Sequence, residues 1–141
     1  MSNINVNLTT IKANVSEFSD IPTNIFQRQS NGNWMYMFGF EEVEKEFPKF
    51  SDDTEPQTYT AYLGFVIKLT GEVTLDNFKK QVMDYFWGVD RENQYINEYN
   101  IAVNNLAPSG KSDDYINTYK TFLQERVTVL DKLEKDYINN F

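Results

Sequence analysis

The chain has no histidine and no cysteine. This removes the usual neutral-pH general base, the thiolate nucleophile and the two commonest transition-metal ligands. Any catalysis would have to be staged with carboxylates, lysines and hydroxyls. Also missing are a positively charged, apolar leader and any run of the ~18 apolar residues that a membrane-spanning helix needs. We therefore expect a protein that is not secreted by a signal peptide and resides in a cytoplasm, or in a host cytoplasm or virion if phage-encoded. Without an export signal the triplets Asn7-Leu8-Thr9 and Asn14-Val15-Ser16 carry no glycosylation meaning. The lack of cysteine fits a reducing compartment.

Basic residues are in the minority, 13 Lys and Arg against 21 Asp and Glu, for a net charge of -8. Phosphate backbones and anionic membrane leaflets should repel such a surface, so neither direct nucleic-acid binding nor membrane binding is expected. A basic protein surface is the complementary partner. Glu41, Glu42, Glu44, Glu46, Asp52, Asp53 and Glu55 concentrate the excess, answered nearby only by Lys45 and Lys49. Frequent asparagine, isoleucine, lysine and tyrosine suggest an AT-rich genome, compatible with a low-GC bacterium or one of its phages.

What the chain has in quantity is aromatic side chains, 11 Phe, 9 Tyr and 2 Trp in 141 residues. A length in this range predicts a single domain with one core. Ile4, Val6 and Leu8 alternate with polar residues, and Ile11, Ala13 and Val15 resume out of phase, predicting an N-terminal strand with a bulge, or two short strands. Gln29-Ser30-Asn31-Gly32-Asn33 is a turn signal, and Trp34 to Phe40 reads as a strand, so a hairpin is expected across Asn31-Gly32. The segment 41–57 is expected to be an acidic loop, with a short helix at its start at most, because Pro48, Ser51-Asp52-Asp53 and Pro56 interrupt it. From Thr58 to Thr70 the alternation is clean, with Tyr59, Ala61, Leu63, Phe65, Ile67 and Leu69 on one side.

From Leu75 the period changes to that of a helix. Leu75, Phe78, Val82, Tyr85, Phe86 and Val89 share a face, Thr74 is placed to cap the start, and an end is expected near Gly88. A second helix should run from Asp90 to Leu106 and bury Tyr95, Ile96, Tyr99, Ala102 and Val103. A third, capped by Ser112 or Asp113, should reach about Asn139 along the line Ile116, Tyr119, Leu123, Leu130, Leu133 and Tyr137. Phe122, Val127 and Val129 widen that line beyond what one intramolecular neighbour requires. Strands first and helices after predict an α+β fold, an N-terminal antiparallel sheet of three or four strands (1–72) packed against two or three C-terminal helices (74–139).

Motifs with chemistry are few. Asn105-Leu106-Ala107-Pro108-Ser109-Gly110-Lys111-Ser112 approximates a phosphate-binding loop, but asparagine stands at its first glycine and a helix precedes it where a strand is required. An ordinary helix-to-helix turn explains it better. Asp90-Arg91-Glu92-Asn93 and Asp52-Asp53-Thr54-Glu55 cluster oxygens without calcium-loop spacing. Nothing brings a hydroxyl together with Lys79, Lys80 or Lys111 as base. No cofactor, metal or catalytic residue is expected, and the protein reads as non-enzymatic.

Two functional classes remain. The leading one is a protein–protein interaction or assembly subunit, homo-oligomeric and phage-encoded in one version, using Trp34, Tyr36, Phe38, Phe40, Trp87, Phe122 and Val129 as contact residues. Tyr85, Phe86, Trp87, Tyr95 and Tyr99 should not all fit one core, so some should be exposed. The alternative is a small acidic inhibitor that presents the Glu41–Glu55 carboxylates as a nucleic-acid mimic to a basic cleft of a host defence protein.

Overall fold

A computed structural model describes residues 8–48 and 55–141. The predicted strand at Ile4 and Val6, and the acidic residues Asp52 and Asp53, lie outside the described residues. The architecture is α+β: a four-stranded antiparallel sheet in the N-terminal half, then three helices. Contacts divide the described residues into two compact units, one from Asn14 to Lys68 and one joining residues 8–13 to Leu69–Phe141. No helix among the described residues is long and apolar enough to cross a membrane.

The first unit is the sheet, ordered β1-β4-β3-β2, with β1 Ser16–Phe18, β2 Phe26–Arg28, β3 Trp34–Glu46 and β4 Thr58–Leu69. The hairpin forms as its turn residues predict. Gly32 takes φ 86, Gln29 N donates to Asn33 O at 2.7 Å, and β2 pairs with β3 in the register Phe26↔Tyr36 and Arg28↔Trp34. Phe26 stacks on Tyr36 with centroids 4.5 Å apart.

Gly39, at φ 62 inside β3, switches the phase of the strand. Before it, Phe38 meets Phe65 of β4; after it, Phe40 lies on Gly64, next door to Phe65 and on the other face. Phe18 meets the Phe40 ring edge-on at 5.4 Å. This explains why Tyr36 to Phe40 are buried at both parities. Alternation then resumes, with Glu41, Val43 and Lys45 half-buried and Glu42, Glu44 and Glu46 exposed. The expected loop or helix over Glu41–Glu46 is therefore corrected to strand: the segment has the period of a strand, and Thr60 of β4 donates to Glu44 at 2.8 Å.

The second unit contains α1 Leu75–Phe86, α2 Gly88–Val103 and α3 Ser112–Asn140. Thr74 caps α1 by accepting from Asn77 N at 3.1 Å. Gln81 holds the chain entering α1: its amide accepts from Thr70 N at 2.8 Å and donates to Thr70 O at 2.7 Å. Gly88, at φ 73, turns the chain from α1 straight into α2, two residues before the expected start. α3 begins without a side-chain cap from Ser112 or Asp113, because the 108–111 turn (Lys111 N to Pro108 O, 3.0 Å) places Lys111 at the cap position.

Residues 8–15 form no strand, contrary to expectation. Their backbone donors are taken by the helices instead, Thr9 N and Thr10 N by Glu125 and Lys12 N by Phe86 O at 2.8 Å. Among the described residues the first strand starts at Ser16.

Candidate protein interface

Within the helical unit, aromatic packing fixes how α2 lies against α3. Phe122 is met edge-on by Trp87 at 5.5 Å and in a tilted arrangement by Tyr95 at 5.2 Å, while Tyr99 stacks on Tyr119 at 4.5 Å. Phe86, Trp87 and Tyr95 are buried and Tyr85 and Tyr99 half-buried, so none of the five is left exposed as expected. The turn at Gly88 brings the end of α1 and the face of α2 to the same ring of α3, which is why one core accommodates them.

The N-terminal arm, residues 8–13, is tied to this core, and one carboxylate takes four of the bonds. Glu125 Oε1 accepts from Thr9 N at 2.6 Å and Thr9 Oγ1 at 2.9 Å, and Oε2 accepts from Thr10 N at 3.0 Å and from Thr10 Oγ1. Thr10 Oγ1 in turn accepts from Trp87 Nε1 at 2.9 Å, and Tyr95 OH donates to Thr10 O at 2.7 Å. Buried Thr10 thus has all its polar atoms satisfied, as a buried polar group requires. Burial pushes the Tyr95 phenol above its ordinary pKa, the Glu125 and Glu98 charges add to this, and Arg91 opposes it. Nothing in the sequence marked Thr10 or Glu125, because the pairing spans more than a hundred residues.

The contact residues expected from the sequence lie mostly inside the molecule. Tyr36, Phe38 and Phe40 are buried in the sheet unit, Trp87, Phe122 and Val129 are buried in the helical unit, and Trp34 is half-buried. Exposed apolar surface occurs elsewhere. On α2, Val89, Ile96 and Val103 are 66%, 41% and 47% exposed and fall on one line, since a spacing of seven residues is close to two helical turns. Ile96 and Val103 were expected in the core; the α3 contact instead takes the neighbouring line through Tyr95 and Ala102. On α3, Leu123 and Val127 are 41% and 57% exposed, beside half-buried Ile116 and Leu130.

The two lines run side by side. Tyr99 lies three residues after Ile96 and four before Val103, and Tyr119 is placed identically between Ile116 and Leu123. Glu92, between Val89 and Ile96, faces Arg126, between Leu123 and Leu130, with Oε1 and Nε 3.7 Å apart. The stacked tyrosines and this ion pair therefore form the seam between two apolar stripes, and together they make one continuous face of the α2–α3 hairpin. Glu92 Oε1 is buried in that seam without a hydrogen bond among the described residues.

The remaining sequence candidates are placed as follows. Glu42, Glu44 and Glu46 line one face of β3, Glu41 is half-buried on the opposite face, and Glu55 is exposed. Lys45 bridges to Glu17 at 2.9 Å, and Tyr59 OH donates to the same carboxylate at 3.2 Å. The lysine hydrogen bond holds the Glu17 carboxyl below the ordinary carboxylate range, and Glu17 raises Lys45. Asn105 takes φ 59 and closes α2 with Leu106 N on Ile101 O at 2.9 Å and Asn105 N on Ala102 O at 3.2 Å, the paired bonds of a helix terminator. Asp90 to Asn93 lie in α2, and no group of three acidic residues placed to hold a metal occurs among the described residues. An open cavity of about 530 Å³ at the α1–α2 turn is lined by Lys12, Asp84, Asp90, Arg91 and Gln94, whose mixed charges favour no one ion.

Compared with protein-family models, curated proteins and solved structures, the chain matches none.

Proposed function

We propose that the protein is a non-enzymatic interaction or assembly subunit that works by docking the outer face of its α2–α3 hairpin onto another protein surface. The observation that supports this is the pair of exposed stripes, Val89-Ile96-Val103 and Leu123-Val127, joined by the Tyr99–Tyr119 stack. Aliphatic side chains scattered singly on a surface need no explanation, but a continuous face of them marks a contact site. The aromatic-rich core and the Glu125 clamp hold the hairpin ready for contact, so little ordering is needed on binding. The test is a photo-cross-linking residue at position 127, with position 55 as control. Adducts to protein from 127 and none from 55 are expected, and equal silence at both positions removes the reading.

A second reading has its own observation. Glu42, Glu44 and Glu46 project from one face of β3, about 7 Å apart along the strand, a spacing comparable to successive backbone phosphates. An acidic inhibitor acting on a basic cleft would use this ladder, and its binding would weaken steeply with salt. Replacing the three glutamates by glutamine separates the two readings, since hairpin docking is indifferent to the change.

A further inference from the structure

We infer that the partner on the hairpin face is a second copy of this chain, packed antiparallel about a two-fold axis that crosses α3 midway between Leu123 and Val127. This deepens the interaction reading above and rests on it.

Charge placement on α3 carries the inference. Lys120 and Asp131 are both exposed, and neither forms an ion pair among the described residues. Their spacing is close to three full turns, so they stand in one column on the outer side of the apolar stripe. Leu123 and Val127 lie between them, almost symmetrically. A two-fold axis at that midpoint sets Leu123 against Val127 of the second copy and Lys120 against its Asp131, and symmetry makes both pairs twice. An isologous interface requires this kind of self-complementarity, with unlike groups equidistant from the axis.

The second helix independently agrees on the height of the axis. The Glu92–Arg126 contact puts residue 92 of α2 level with residue 126 of α3. An axis near residue 125 of α3 therefore crosses α2 near residue 93, which is midway between Val89 and Ile96. Those two exposed side chains then face each other across the same axis. The Val89–Ile96 pair of α2 is thus compatible with the axis set on α3, while Val103 lies beyond the overlap of the two copies of α2.

The contact is small. About the proposed axis the two copies of α2 overlap for about 15 Å and those of α3 for longer, across a width of two helices, about 20 Å; the contact is on the order of 400 Å² per copy, at or below the small end of specific interfaces. A reversible, concentration-dependent dimer is expected. The flanking charges contribute mainly register, since the cost of the wrong arrangement is repulsion.

The experiment uses the full chain in sedimentation equilibrium at low salt, with Lys120→Glu and Asp131→Lys made separately. Both positions are exposed, and circular dichroism verifies that each variant folds. The wild type is expected to dimerise. Each variant alone meets itself with like charges at both pairs, so its dissociation constant should rise about tenfold or more. Mixed one to one, the two variants form two opposite-charge pairs, and a heterodimer of wild-type strength is expected. Since the chain has no cysteine, Leu123→Cys and Val127→Cys give a second measure that does not depend on the charge variants. Oxidation should join the two variants to each other in preference to themselves.

A dimer unaffected by either charge change, or a mixture that fails to recover, overturns the two-fold arrangement. A wild type that stays monomeric at high concentration while position 127 still cross-links to a different protein overturns the second copy and leaves the interaction reading standing. Monomer together with silence at position 127 overturns both.

Discussion

Replacing Glu125 by alanine tests how much of the arm's attachment rests on one carboxylate. Four donors converge on that group, two from exposed Thr9 and two from buried Thr10. Hydrogen bonds to a charged acceptor contribute about 1.5–3 kcal/mol each when shielded from water and far less when exposed. Counting the Thr10 pair near the lower bound and the Thr9 pair at a few tenths, the loss is about 3–4 kcal/mol. Alanine also leaves the Thr10 N–H buried without a partner, and the hydroxyl that receives Trp87 Nε1 loses its own acceptor. Glutamine at 125 is isosteric but turns an NH₂ group toward two of the donors, so about 2 kcal/mol is expected.

For a chain of this length about 3 kcal/mol corresponds to a drop in Tm of about 10 °C. Urea unfolding followed by tryptophan fluorescence measures the loss, because Trp87 lies at the clamp. Hydrogen exchange of the Thr9 and Thr10 amides locates it: both should lose protection in Glu125→Ala while amides of the β3–β4 ladder keep theirs. Glu55→Gln, on an exposed residue, serves as control. A midpoint within 0.5 kcal/mol of wild type, or Thr10 protection that survives the change, would refute the clamp.

Three further expectations concern single contacts. A Cβ at Gly64 would stand 2.9 Å from the Phe40 ring and 3.3 Å from Gly39 O, so Gly64→Ala should cost about 1–3 kcal/mol by overpacking; an unchanged urea midpoint contradicts the packing described. Tyr95→Phe removes the bond to Thr10 O, a loss of about 1–2 kcal/mol. Because the folded phenol titrates above its ordinary 10.0, the protein keeps its proton longer than the unfolded chain does. Stability from this group is intact below pH 10 and falls as pH rises past it, and Tyr95→Phe should flatten that fall in alkaline unfolding curves relative to wild type. Trp87→Phe keeps an aromatic ring but deletes the N–H to Thr10; a cost of about 1 kcal/mol or more is expected, and coupling with Glu125→Ala in a double-mutant cycle should show that the two share one network.

How far the sequence could be read depended on whether its signals were local. The hairpin at Asn31-Gly32, the alternation of β4 and the Thr74 cap each rest on neighbours in the chain, and each is found. The reading of 105–112 as a helix-to-helix turn fits the paired bonds at Asn105, although α2 ends at Val103 rather than at the expected Leu106. Two elements differ from expectation, each for its own reason. Residues 8–15 alternate as a strand would, but alternation says nothing of which partner takes the backbone donors, and a carboxylate on α3 takes two of them. The segment Glu41–Glu46 looked like loop because charge and the prolines beyond it outweighed its period of two, although polar strands keep that period when one face stays wet.

The expected contact residues show a different confusion. Large aromatics are enriched at interfaces, yet they also make the best core material, and Tyr36, Phe38, Trp87 and Phe122 are buried within the chain. What distinguishes a docking face is a second periodic line left over after the core has taken its own. On α2 the core takes Tyr95 and Ala102, leaving Val89, Ile96 and Val103, one residue further along at each turn and equally regular. Both lines are visible in the sequence. Only the packing of α2 on α3, with Phe122 against Tyr95, decides which is spent inside.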